Sequence, residues 1–325
     1  MKKYYMPLHI VTLLILIIVS LTLGRYELSI MDIIHIFTGG GSKQEFDLIF
    51  NIRLPRVMLV VISGGALALS GMVFQSIFQN PLISPDVLGV SSGCSLGAAL
   101  GIVFFSASPL LLQSLSFVFG IAAVIFSMII SKSMKNSRVL SLVISGIVTG
   151  AIASSFIMII KYFADPYKEL PAIDFWLMGG FYNSSWSNVF YVSILVLIAT
   201  IVIYKFRWNL KVLTMGDSQA KLLGINVKLV RTVIIFSATL LVSSVVSVAG
   251  VISWIGILAP HIVKSYCKDD IFNTIPITFL AGGIILILAD TMARTITTTE
   301  IPISILTSLV GAPFLVYLLN RKEKS

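Results

Sequence analysis

Charge is what this chain has least of. Only 11% of its 325 residues are Asp, Glu, Lys or Arg, and 57% are hydrophobic, whereas an ordinary soluble domain is about one-quarter charged. A soluble globular fold is therefore a poor fit, and the expected class is an all-α polytopic membrane protein. Acids are the scarcer sign, 14 against 23 Lys and Arg, for a formal net charge of +9. In a soluble protein that excess would suggest nucleic acid. Here the cations lie in short segments between long apolar runs, so they read as orientation signals, and no nucleic-acid partner is expected. Cysteine is nearly absent: Cys94 and Cys267 are far apart with no CxxC spacing, which excludes a disulfide framework or zinc site and leaves two buried thiols. With only His9, His35 and His261, no metal centre is expected.

Two further absences bear on energy supply. No Gly-Lys pair occurs, so the chain has no P-loop and no cofactor of its own is expected. Ion-coupled carriers usually bury carboxylates within their spans. Only Asp290 lies inside a span here, near an end and beside Arg294. A proton- or sodium-driven secondary carrier is thus the weaker reading.

What the sequence has in abundance is apolar runs. A span needs about 20 residues, and ten segments approach that template: 8–24, 56–78, 91–107, 114–131, 139–162, 188–205, 229–250, 254–267, 274–293 and 303–320. The eighth is short and holds Pro260 and His261. The first follows Lys2 and Lys3 without a small-x-small cleavage pattern, so an uncleaved first helix is expected. An inside N-terminus leaves Arg25, Lys43, Arg53, Arg56, Lys161, Lys168 and Arg294 outside and the other cations inside. This is the positive-inside arrangement, with both termini cytoplasmic.

Several local patterns stand out. Gly89, Gly93, Gly97 and Gly101 recur at every fourth position, a bare helix face that a neighbouring backbone can approach. GVSSG at 89–93 matches the nucleophile-elbow pattern formally, but its helix-like flanks and the scarcity of histidine argue against a catalytic Ser91. GMVFQSIFQNP (71–81) and GVISWIGILAP (250–260) share a glycine ten residues before a proline, which suggests an inverted repeat. QNPLISPDVLG (79–89) carries two prolines and cannot be a continuous helix; such backbone at membrane depth borders protein or water. The loop 163–187 is aromatic, and Trp176, Tyr182 and Trp186 read as interfacial belt residues. Arg53, Arg56 and Arg294 oppose the charge rule. They are either snorkelling anchors or a cationic rim that receives an external partner's carboxylates.

The longest polar interruption is 205–231, KFRWNLKVLTMGDSQAKLLGINVKLVR. Its middle, Met215 to Gly224, predicts a short helix between two glycines, with Asp217 or Ser218 capping the start and Gly224 the stop. The topology places it in the cytoplasm, either as a plain loop or as a docking element.

The run RLPRVMLVVISGGALALSGMVFQSIFQNPLISPDVLGVSSG at 53–93 resembles the FecCD-type permeases of ATP-binding-cassette (ABC) importers, which carry iron-siderophores, haem and cobalamin. GDSQAKLLGINV (216–227), GVISWIGILAPHIV (250–263), LADTMAR (288–294) and EIPISILTSLVGAPFLVYLL (300–319) continue it in order. The resemblance implies a type II importer permease. It would be a single permease domain over 1–325, paired as a homodimer or close heterodimer around the pathway in the cytoplasmic membrane of a bacterium or archaeon. It also implies two cytoplasmic ATPase subunits that hold ATP and Mg, and an extracytoplasmic substrate-binding protein. The chain itself would not be an enzyme. By the same resemblance Arg53, Arg56 and Arg294 receive the binding protein. Leu213, Met215, Gly216, Asp217, Ser218, Ala220, Leu223 and Gly224 couple to the ATPase. Asn80, Pro81 and Leu82 form the cytoplasmic gate, opposed by the start of the fifth span from Leu140, at Ser141 and Ser145. Relatives often carry an acidic pair where this chain has Asp217 and Ser218, and Ser253–Trp254 is a departure that bears on cargo. The default cargo is an iron-siderophore, with haem, cobalamin and molybdate as alternatives.

Overall fold

In this computed structural model the described residues are 4–24, 26, 28–105, 108–134, 138–267 and 271–322, with side chains excepted at 271–273 and 318–322. Lys2, Lys3, Arg25, Lys135, Lys268 and Lys324, which entered the topology, lie outside them. In chain order the helices are α1 (Tyr5–Thr22), α2 (Ile30–Phe37), α3 (Lys43–Asp47), α4 (Leu54–Ile77), α5 (Val90–Phe105), α6 (Pro109–Ser133), α7 (Arg138–Phe163) and α8 (Glu169–Met178). There follow α9 (Trp186–Lys205), α10 (Arg207–Leu213), α11 (Asp217–Leu222), α12 (Val227–Ala249), α13 (Ile255–Cys267), α14 (Ile271–Thr295) and α15 (Ile303–Lys322). No strand occurs among the described residues.

Among the described residues seven stretches are long and apolar enough to cross a membrane: Tyr5–Thr22, Lys43–Ile77, Pro109–Ser133, Arg138–Phe163, Trp186–Lys205, Val227–Ala249 and Thr274–Thr295. The expected third span is the shorter apolar helix α5, and the described side chains of the tenth cover only Ile303–Tyr317. The expected eighth is α13, whose 13 residues rise about 20 Å at 1.5 Å each, short of a hydrocarbon core of about 30 Å. A helix that short belongs among protein, and most of α13 is buried, including Pro260 and His261.

The second span starts earlier than expected. Leu48–Arg53 is a π-helical turn joining α3 to α4, and Leu54 N–H reaches back to Ile49 O. Pro55 has no N–H to give the preceding turn, and a widened turn is one way to absorb that loss. Arg53 and Arg56 therefore sit within one 35-residue helical stretch.

The residues group into two compact units, each discontinuous in sequence. One comprises 1–69, 180–194 and 253–325. In it α4 and α14 touch backbone to backbone at Gly64 and Gly282, where a methyl group on either would strike the other's carbonyl. α1 joins α14 through Thr291 Oγ1, which donates to Ser20 Oγ at 3.0 Å. Two serine capping boxes start α2 and α3, Ser29 with Asp32 and Ser42 with Glu45. Trp254 has φ +73°, costly for a bulky residue. Its indole lies over Gly311 and donates to Ser308 Oγ at 3.1 Å.

The other unit comprises 70–179 and 195–252. α12 runs through its interior, whereas α6 and α7 show apolar faces outward, with Ile129 57% and Ile147 65% exposed, as expected where lipid is the solvent. The glycine stripe does what its spacing predicts over three of four positions. A Cβ on Gly93 would stand 2.6 Å from Phe119 O of α6, one on Gly97 would strike Leu115 O, and one on Gly101 would meet the Leu112 and Leu115 side chains at 3.3 and 3.4 Å and Leu112 Cα at an ordinary 3.6 Å. Gly89 is different: it lies outside α5 at φ +77°, closes the 3-10 turn Pro85–Leu88, and faces α7 at Gly146 and Gly150. Cys94 is buried in this unit, and Cys267 is buried in the first. The two glycine–proline motifs differ in local structure. Gly71 is inside α4 and Pro81 follows it, whereas Gly250 ends α12 and Pro260 is inside α13.

Candidate functional site

The polar segment folds as two short helices before α12. Leu210, Val212 and Leu213 of α10 and Ala220 of α11 are buried, while Met215, Leu222 and Leu223 stand 60%, 88% and 62% exposed. Of the residues expected to couple, Leu213 and Ala220 thus anchor the segment, and Met215, Ser218, Leu223 and Gly224 face outward, joined by Leu222, absent from the expected set.

Its start is built differently from expectation. Neither Asp217 nor Ser218 caps the start; Gly216, at φ +109°, holds the N-cap position with no side-chain bond. Asp217 instead reaches α12, where its carboxylate takes Arg231 Nη2 at 2.5 Å and Nη1 at 3.0 Å. The contact with Arg231 holds the Asp217 carboxyl below the usual carboxylate range, with further help from Lys221 and Arg138. The stop follows expectation: Ile225 N–H donates to Ala220 O and Gly224 N–H to Lys221 O, both at 3.0 Å, with Gly224 at φ +75°. That is a Schellman end, and only glycine takes this φ without strain.

The inner loop abuts this segment. Asn80, Pro81 and Leu82 are exposed, and Asn80 Oδ1 accepts from Leu82 N–H at 2.9 Å, a local turn that holds the tip. Before them Gln79 has φ +51°, and its Nε2 donates to Leu213 O at 3.1 Å. Asp86, which went unremarked in the sequence, accepts from Ser91 N–H at 2.7 Å and caps α5. Ser91 therefore has a helix-start role. A cavity of about 360 Å³ lies between this loop and α7, lined on the α7 side by Val143, Gly146, Ile147, Gly150 and Ala151. Ser141 and Ser145 are buried outside it, and Ser145 Oγ bonds Ser127 Oγ of α6 at 3.0 Å. At the start of α7 Leu140 is 49% exposed.

The three arginines form one cluster in the first unit. Arg53 Nη1 donates to Leu21 O at 2.5 Å and Thr22 O at 3.2 Å, and Nη2 to Tyr26 O. Arg294 donates to Leu23 O at 2.9 Å, to Ser20 Oγ at 2.6 Å and to Ser20 O. Two guanidiniums thus satisfy the carbonyls left open at the end of α1. Arg56 bridges two acids, with Nη2 2.8 Å from Asp290 Oδ1 and Nη1 3.0 Å from both Glu300 oxygens. Arg53 and Arg294 are buried, and so is the Asp290 side chain, 1% exposed against 27% for Glu300. All three arginines have partners in their own chain, so an outside carboxylate has to compete for them. The Arg56–Glu300 pair, with the more exposed acid, is where it can.

The FecCD transport family profile matches residues 12–321. The molybdate import system permease of Haemophilus influenzae is 36% identical over 95% of each chain. The Fe(3+)-citrate import system permease of Bacillus subtilis is 34% identical over 95% of this chain and 92% of its own. A solved structure of an inward-facing, metal-chelate type ABC transporter matches with a TM-score of 0.90 at 32% identity, covering 98% of this chain and 99% of that one. With these matches spanning nearly the whole chain, and a helical fold to match, the chain belongs to the FecCD transport family and is a membrane permease of the ABC importer type.

Proposed function

We propose that this chain is the translocating subunit for a ferric chelate of the siderophore class, working as a pair of copies with two ATPase subunits on the cytoplasmic side and a substrate-binding protein outside. The observation that carries the reading is the full-length match, TM-score 0.90, to a metal-chelate type transporter. The permease does no covalent chemistry; ATP and Mg belong to the ATPase subunits. Met215, Leu222 and Leu223 enter the ATPase, and its closure moves α10 and α11. Leu213 then carries the movement to the inner loop through Gln79. On the outer face the binding protein's acids compete with Glu300 for Arg56. The positive-inside count supports a location in the cytoplasmic membrane with both termini inside.

Molybdate is the second reading, favoured by the 36% identity to a molybdate permease. Titrating the cognate binding protein against ferric chelates, haem, cobalamin and molybdate tests both. Submicromolar binding of a ferric chelate alone supports the first, and selective molybdate binding replaces it.

A further inference from the structure

Four cations converge at one end of α6, α7 and α12: Lys132, Arg138, Lys228 and Arg231 line a single cavity of about 300 Å³. The acid that faces them, Asp217, is taken by Arg231. Lys132, Arg138 and Lys228 form no ion pair among the described residues. Arg231 is 2% exposed, lines the cavity, and its Nε has no hydrogen-bond partner. α7 and α12 begin here and α6 ends here, so two positive helix ends outweigh one negative end, which Lys132 faces.

The rest of the cavity is apolar. Ile125 and Ile129 of α6 and Phe236 of α12 continue its wall along the helices. Ile125 and Ile129 are 41% and 57% exposed, so the wall opens sideways onto the face that lipid covers. A free phosphate or a protein carboxylate has no use for such a slot, whereas a phospholipid fills both parts.

We infer that the cleft between the ends of α6, α7 and α12 binds one anionic phospholipid, its phosphodiester held by Lys132, Arg138, Lys228 and Arg231 Nε and an acyl chain lying along Ile125 and Ile129. The site rests on the proposed permease topology, which places this end at the cytoplasmic leaflet, where anionic headgroups meet basic clefts between helices. It lies beside the Asp217–Arg231 pair, so a bound lipid also braces the segment that meets the ATPase.

The test uses the full-length chain in neutral detergent, without partner subunits, and counts retained lipid by native mass spectrometry during titration with phosphatidylglycerol or phosphatidylcholine. Wild type retains one phosphatidylglycerol in preference to phosphatidylcholine. The triple variant K132Q/R138Q/K228Q loses that affinity on the order of 100-fold, about fivefold per cation, and the charge-keeping variant K132R/R138K/K228R stays within a few-fold of wild type. Should the triple variant not fold, Lys228→Gln alone is expected to weaken retention about fivefold. Equal retention by wild type and the glutamine variants, or no preference over phosphatidylcholine, overturns the inference. Displacement by millimolar inorganic phosphate does so too, showing a free-anion site. Transport is not measured, so failure here leaves the permease reading standing.

Discussion

The side chain of Gln79 donates to the backbone carbonyl of Leu213 across 3.1 Å, joining the inner loop to the last residue of α10. Three residues after Gln79 stands Leu82 at the exposed tip, and four after Leu213 the helix α11 begins. The bond is thus a direct tie between the segment read as the ATPase contact and the loop read as the gate.

That tie can be cut without disturbing the backbone. Gln79→Gly keeps φ +51° and relieves about 1 kcal/mol of left-handed strain while removing the donor. Its thermal midpoint should equal or exceed that of wild type. Transport per ATP hydrolysed should fall about fivefold, the scale of one lost hydrogen bond. Unchanged coupling would remove Gln79 from the pathway of movement.

Packing along the glycine stripe predicts graded damage. Gly97→Leu drives a side chain into the Leu115 carbonyl, which cannot move without α6, and should cost about 3 kcal/mol. Gly101→Ala meets side-chain methyls at 3.3 and 3.4 Å and backbone no nearer than 3.6 Å, and should cost less than about 1 kcal/mol. Thermal unfolding of the purified variants checks the order.

Asp217 predicts a pH dependence with a definite sign. Its folded pKa lies below the ordinary value of 3.8 because of Arg231, so the stabilisation is full above that value and is lost as pH falls through the folded one. The Asp217 side chain is 40% exposed, which limits the contribution to about 1 kcal/mol. The difference in midpoint between wild type and Asp217→Asn should be constant from about pH 5 to pH 8 and should shrink below about pH 4. A difference that persists in acid would assign it to something other than the charge.

Much of this was legible beforehand, and the exceptions have physical causes. Apolar runs located the long helices because lipid demands them, and Gly224 announced its turn because few residues tolerate φ +75°. Span two was cut short at 56 because Asn51, Arg53, Pro55 and Arg56 look like loop, whereas a π turn and partners on α1 and α14 let them stay helical. The arginines were expected to face outward, since no local pattern shows that Ser20 to Tyr26, Asp290 and Glu300 would fold against them. The family resemblance points to Ser141 and Ser145 opposite the inner loop, but it does not fix which face of a helix a residue takes, and α7 lines the cavity beside the loop with Val143, Gly146 and Ile147. The serine capping boxes of α2 and α3 are present in the sequence as S-x-x-D and S-x-x-E and could have been read.

The arginine cluster separates support from docking. Arg56→Gln leaves Asp290 buried with Arg294 as its remaining charge partner and should cost about 3 kcal/mol or more. Glu300→Gln, with a 27% exposed side chain, should cost less than about 1 kcal/mol while freeing Arg56 Nη1 for an outside acid. Binding-protein affinity at low salt, where such contacts are strongest, should therefore be maintained or raised by Glu300→Gln. A fall in affinity would mean that Glu300, not Arg56, meets the partner.

The most direct test of the whole account is uptake of a radiolabelled ferric chelate into proteoliposomes containing the permease, its ATPase and its binding protein. The account predicts uptake that needs ATP, survives an uncoupler, and is lost together with stimulated ATP hydrolysis when Leu222 and Leu223 are both replaced by Asp. Uptake that collapses with the uncoupler while ATP is maintained, or that persists in the double variant, would contradict it.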